Sequence, residues 1–187
     1  EPAGRANLEP VAPDDENPTV SERPPLGWLS DPDEPPENIF DALISGKIHL
    51  DNNFRVELAD TTGRNSSTAI TNRLRLGYET KPFHGFSGFV EMENVATPDR
   101  GNYWVPATGD GTPDRTVVAD PPGTEVNQAF GRFNVDSLGD TGISLDLKAG
   151  RQRIKLDDDR FVGNVGWRQF EQTYDSVSIR TNIGVDN

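Results

Sequence analysis

The chain has no cysteine, a single methionine and two histidines among its 187 residues. Without cysteine there is no disulfide framework, no zinc ribbon and no thiol nucleophile. Two histidines leave little material for a His-rich metal site or a Ser-His-Asp triad. No apolar run approaches the ~20 residues that a membrane-spanning helix needs, which excludes a helical membrane protein. Hydrophobic residues are scarce at 33%, against the roughly 45–50% (glycine included) of a soluble globular domain. Positive charge is scarce too. Lys and Arg total 18 against 31 Asp and Glu, a net charge of −13. An acidic chain repels phosphate backbones, so nucleic acid is not an expected partner. The 18 glycines and 15 prolines punctuate the chain too often for long helices.

Acidity and proline concentrate at one end. Residues 1–41 hold 9 of the 15 prolines, with 11 acids and 2 bases, a net −9; the rest carries −4. Such a segment cannot bury enough apolar surface to offset its ordering entropy. It is expected to be a disordered acidic, Pro-rich leader, with Leu26, Trp28 and Leu29 as its few apolar residues. The chain opens at Glu1 without a charged-then-apolar signal, as expected of a processed form or a fragment.

From residue 42 the apolar period is two, the strand signature. Six runs show it. Ile44, Gly46, Ile48, Leu50, Phe54, Val56 and Leu58 share one parity, and Ile70, Leu74, Leu76 and Tyr78 the next. Phe86, Gly88, Val90 and Met92 follow, then Ala129, Gly131, Phe133 and Val135. Ile143, Leu145, Leu147 and Ala149 make the fifth, and Val177, Ile179, Thr181, Ile183 and Val185 the sixth. No amphipathic helix is expected. Connections alternate in length: 59–68 is a polar loop, 81–85 tight, 97–123 long, 137–142 short and 157–171 long. Outer-membrane barrels alternate this way, and strands of about ten residues suit a tilted transmembrane strand. Six strands fall short of the roughly eight in the smallest bacterial barrels, so 42–187 reads as the N-terminal part of a larger barrel.

In a barrel the polar faces line the lumen. They carry Lys47, Arg55, Arg73, Arg75, Arg132, Lys148 and Arg180, opposed by Glu57, Glu79, Glu91 and Glu93 together with Asp51 and Asp146. Cross-strand ion pairs would stabilise such a wall modestly, and unpaired guanidiniums would attract carboxylate-bearing solutes.

The segment from Lys148, KAGRQRIKLDDDRFVGNVGWRQFEQTYDSVSI, is long and specific. With VVADPPGTEVNQAF at 117–130 and ALISGKIHLDNNFRVELAD at 42–60, it resembles the alginate-export family of outer-membrane porins. The resemblance spans roughly residues 39–187. It implies an all-β fold: an antiparallel transmembrane barrel of roughly eighteen strands, of which this chain is about six. It implies a Gram-negative outer membrane, lipid and an anionic or neutral saccharide as partners, a passive channel, no enzymatic step and no cofactor. Matching positions include Gly150, Arg151, Gln152, Asp157, Arg160, Phe161, Gly163, Trp167, Arg168 and Gln169. Asp158 and Asp159 stand where Asn and Gln are commoner in the family, adding negative charge beside Arg160.

Arg151 and Arg153 share the apolar parity of their strand. Either the strand has left the hydrocarbon there, or a bulge near Gly150 re-aims them; the parity switch to Ile154 and Leu156 favours the bulge. The loop at 157–171 is expected to be an inward-folded constriction whose Arg and Gln side chains meet the solute, or a plug pinning the two strands that flank it. Tyr78, Tyr174 and Trp104 suit an interfacial aromatic belt. Asp99, Asp110, Asp114 and Asp120 hint at calcium, but the spacing lacks an EF-hand's third ligand and glycine, so no metal is expected. The alternative architecture is a secreted carbohydrate-binding β-sandwich, with Trp104 or Trp167 stacking on sugar. A third is a barrel that only anchors.

Overall fold

The computed structural model describes residues 34–156 and 160–183. The leader up to residue 33, Asp157 to Asp159 and Val185 lie outside the described residues.

The period-two runs become strands. β1 is Lys47–Ala59, β2 Ser67–Glu79 and β3 Phe86–Ala96. After a two-stranded ribbon, β4 (Trp104–Val105) and β5 (Asp110–Gly111), come β6 (Gly123–Val135), β7 (Ile143–Gln152) and β8 (Tyr174–Ile183). The main sheet has six strands in the order β1-β2-β3-β6-β7-β8, each antiparallel to its neighbours. It is a curled, unclosed sheet, a half-barrel. The ribbon lies inside the long connection 97–122. Three connections, 60–66, 97–122 and 153–173, leave one end of the sheet; the turns 80–85 and 136–142 occupy the other.

Burial is inverted relative to a water-soluble sheet. On β1 and β2 the apolar parity is open: Leu50 is 71% exposed and Leu58 77%, with Phe54 and Leu76 also exposed. The charged parity is covered: Arg73 is 6% exposed, Arg75 8% and Glu93 0%. The cover is the pair of long connections, folded back over the polar side, hereafter the inner side. The residues 97–122 lay Tyr103, Val105 and Val118 over Ala69, a small apolar cluster on an otherwise polar face. The connection 97–122 is tied to the loop 60–66 by Asn65 N–H to Asp114 C=O and Thr116 N–H to Asn65 C=O.

Residues 39–44 form a short helix, α1 (Ile39–Ile44), where no helix was expected and where Ile44 had been assigned to the first strand. Capping decides it. The Asn38 carboxamide accepts from Asp41 N–H at 3.0 Å, and the Ser45 hydroxyl donates to the Asp41 carboxylate at 2.6 Å. The Ser45 hydroxyl first, then the Glu37 N–H, hold the Asp41 carboxyl below its ordinary value. Two bonds dock the helix on the sheet, Lys81 N–H to Ala42 C=O and Tyr78 hydroxyl to Leu43 C=O.

The bulge expected near Gly150 is not there. The β6–β7 and β7–β8 registers run through Gly150 unbroken, opposite Phe130 and Ser176. Arg151 stays on the outer parity, where its guanidinium forks the Asp175 carboxylate at 2.9 and 3.0 Å. β7 then ends at Gln152, and Arg153 turns inward to Glu91. The register shift falls instead between β3 and β6, where Glu91 faces Gln128 but Met92 faces Val126. The extra residue, Asn127, joins Gln128 on the inner side, and both are buried.

Gly150 has a different reason to be glycine. Its φ is +128°, and a Cβ there would sit 2.3 Å from the Ala129 carbonyl oxygen. Gly150→Ala is expected to destabilise the sheet by about 1–3 kcal/mol. The measurement is the denaturant midpoint, with amide protection on β6 and β7 falling first.

Candidate functional site

The registers place every expected lumen residue on one face. Lys47 stands opposite Glu79, Asp51 opposite Arg75, and Arg75 opposite Glu93. Glu91 stands opposite Gln128, Arg132 opposite Lys148, and Asp146 opposite Arg180. Arg55 and Glu57 follow on the same parity of β1.

These residues separate into two regions. On β2 and β3, Arg73, Arg75, Glu91 and Glu93 are buried and paired, with partners on β1 more exposed. Arg75 binds Glu93, and Arg73 reaches diagonally to Asp51 at 2.7 Å. Arg55 contacts Glu57 and, at 3.0 Å, Asp120. At the centre sits Glu171, from the β7–β8 connection. Its carboxylate receives Arg153 and the Asn164 and Asn127 amides, the last at 2.6 Å, and lies 3.4 Å from Arg75. Glu91 accepts from Asn127 at 2.8 Å, Gln128 at 3.1 Å and Arg153 at 2.8 Å. The bulge makes this possible, because it turns two successive amides toward one carboxylate. Burying such ions is tolerated only when they are paired and hydrogen-bonded.

The β7–β8 connection does fold inward, and it is bonded to the first strands as well as to the flanking strand β8. The buried Gln169 donates to the Thr71 hydroxyl at 2.7 Å, and its N–H donates to Asp120 at 3.1 Å. Arg55 donates to the Trp167 carbonyl at 3.0 Å and Arg73 to that of Arg168 at 3.4 Å. Arg168 stacks on the Trp167 ring, 4.4 Å from its centroid. Gln152 is buried and binds the β8 backbone and Ser178. Arg160 is exposed and stays apart from this network. Tyr174 does not join an outer belt. It stands opposite Gln152 on the inner parity, and its hydroxyl donates to Gly163 C=O. Trp104 lies in the ribbon of the long connection.

Over β6, β7 and β8 the inner face is more open. Arg132 forks Asp146 at 2.7 and 3.1 Å, which satisfies that carboxylate. Around it a basin of about 260 Å³ gathers Lys148, Arg153, Lys155, Ser178 and Arg180. Lys148 lies over the Phe130 ring at 4.9 Å. Lys148 and Arg180 thus stand beside a carboxylate, Asp146, that Arg132 already balances. A second cavity, about 660 Å³, is lined by Phe161, Trp167, Gln172 and Tyr174 at the outer edge of the folded connection.

The four aspartates considered for calcium are dispersed. Asp99 caps Gly101 N–H, Asp110 pairs with Arg100, Asp114 binds Asn65, and Asp120 binds Arg55 and Gln169. Among the described residues no cluster of three His, Asp or Glu side chains forms a metal site.

Asn127, Asn164, Asp120 and Glu171 were not singled out from the sequence as site residues. Glu171 and Asn164 lie inside the quoted motif, but only the fold shows which carboxylate becomes the hub. No known protein family, characterised protein or solved structure matches this chain.

Glu171→Gln leaves Arg75 and Arg153 short of a carboxylate and is expected to cost about 3 kcal/mol. Limited proteolysis should then cut within 153–173 while the strands stay protected. Tyr103 supplies a pH test. Burial raises its phenol above the ordinary value, so the stability it contributes is complete below about pH 10 and is lost as pH rises further. The connection 97–122 should loosen in that alkaline range, followed by ultraviolet difference absorption of the phenolate, and Tyr103→Phe should remove the transition.

Proposed function

We propose that this chain forms part of the wall, and the inward-folded loops, of a passive outer-membrane channel in a Gram-negative bacterium. The observation that carries the reading is the inverted sheet: Leu50, Phe54, Leu58 and Leu76 face out uncovered while Arg73, Arg75 and Glu93 are buried. A bilayer is the environment in which an uncovered apolar sheet face is at its lowest free energy. Strands of 10 to 13 residues suit a tilted crossing. The loops of one end fold into the space that a closed barrel would enclose.

The motif beginning at Lys148 resembles the alginate-export porins, and Lys148 and Arg180 beside the neutralised Asp146 support small or oligomeric solutes that include acidic sugars. A channel needs no chemical step, and the reading includes none. A secreted carbohydrate-binding sandwich is the second reading. The exposed Phe161 and Trp167 rings beside their cavity favour it. It also needs a second sheet against the apolar face, and among the described residues the only other sheet is the small ribbon of the inner connection.

The full-length protein in planar bilayers should give ohmic conductance. A detergent-free soluble monomer without conductance would sink the reading. Lys148→Glu with Arg180→Glu should move the reversal potential in a KCl gradient toward cation selectivity. An unchanged potential would mean that a barrel of this kind only anchors.

A further inference from the structure

At the short-turn end, α1 and the turn 80–85 enclose a cavity of about 450 Å³ lined by Ile39, Ala42, Leu43, Phe83 and Phe86. We infer that it seats an acyl chain of a bilayer phospholipid, with α1 lying in the membrane interface. This rests on the channel reading and extends it to a segment outside the strands.

Three observations support the assignment. The cavity is continuous with the outer apolar face through Phe86, which lines it and also packs on Phe133 of β6, ring centroids 4.6 Å apart. The helix is held in place, not trailing: Tyr78 and Lys81 bond its carbonyls at 2.6 and 3.0 Å. Its remaining apolar side chains, Phe40 and Ile44, point away from the protein and are 74% and 76% exposed. A short helix with apolar residues on its open side, set at the rim of an apolar sheet face, has the form of an interfacial anchor. The occupant that is continuous with that rim and matches its chemistry is a lipid tail.

The absence of cysteine from these 187 residues permits a direct test. Leu43→Cys and, as a second probe of the same cavity, Ile39→Cys carry a nitroxide in the full-length protein, in vesicles of dioleoyl phosphatidylcholine and phosphatidylethanolamine. Leu50→Cys on β1 and Glu37→Cys before the helix are the references. Oxygen partitions into hydrocarbon and a nickel chelate into water. Labels at 43 and 39 should match the label at 50, favouring oxygen over nickel, and the label at 37 should show the reverse. Cavity labels open to nickel, or screened from both reagents by a protein segment such as that around Trp28, overturn the lipid site while position 50 still supports the channel. If position 50 also favours nickel, the channel reading itself fails and the lipid site falls with it.

Discussion

The cost of burying charge organises the inner half of this molecule. Arg75 and Glu93 are direct cross-strand partners, and a paired guanidinium and carboxylate still lose much of their hydration when covered. The sheet alone could not complete their hydrogen bonding. The β7–β8 connection brings the Glu171 carboxylate to 3.4 Å from Arg75, and its Trp167 and Arg168 carbonyls accept from the neighbouring Arg55 and Arg73, while Arg75 Nη2 and Glu93 Oε1 keep no hydrogen-bond partner among the described residues. Hydrogen bonds and ion pairs to Arg55, Thr71, Arg73, Arg75 and Asn127 give its position a directional constraint. A polar interior of this kind specifies geometry more than it stabilises, because each donor accepts few alternatives.

The outer half follows the opposite rule. Among the described residues its exposed side chains are mostly Leu, Ile, Val, Phe and Met, interrupted by Asn52, Thr181 and the Arg151–Asp175 pair. In water an open apolar face of this extent would drive association. The two faces of one sheet thus differ in kind, one charged and covered, the other largely apolar and open. The small Ala69, Tyr103, Val105 and Val118 cluster is the exception, a soluble-type core confined to the loop end.

Much of this was legible as a two-residue period. The parities of Arg73, Arg75, Glu91 and Glu93 against Leu74, Leu76, Val90 and Met92 set the faces, because a strand allows no other assignment. Strand number and the alternation of connections followed from the turn residues. Three features did not. The helix at 39–44 depends on the Asn38 and Ser45 caps, which are weak signals beside an apparent alternation running through Ile44 and Ile48. The bulge at Asn127 was misplaced to Gly150, because a parity change shows that a strand ends or bulges without showing which. At Gly150 the strand simply ends two residues later. The plug's partners lie on strands far away in sequence, and local pattern carries no information about them.

That remoteness bears on the order in which the molecule can assemble. Trp167 meets Arg55 across 112 residues, and Gln169 meets Asn53 across 116. Each of these contacts needs β1 and β2 already paired, and the Glu171 hub also needs β3 and β6 in register around the Asn127 bulge. Nearest-neighbour hairpins close over short separations and form early, whereas distant contacts carry a larger closure entropy. The connection at 153–173 is therefore expected to dock late, and its docking covers Arg75 and Glu93. Its docking registers that the first four strands of the sheet have found the right alignment, since a one-residue slip in any of them would turn its partners to the opposite side.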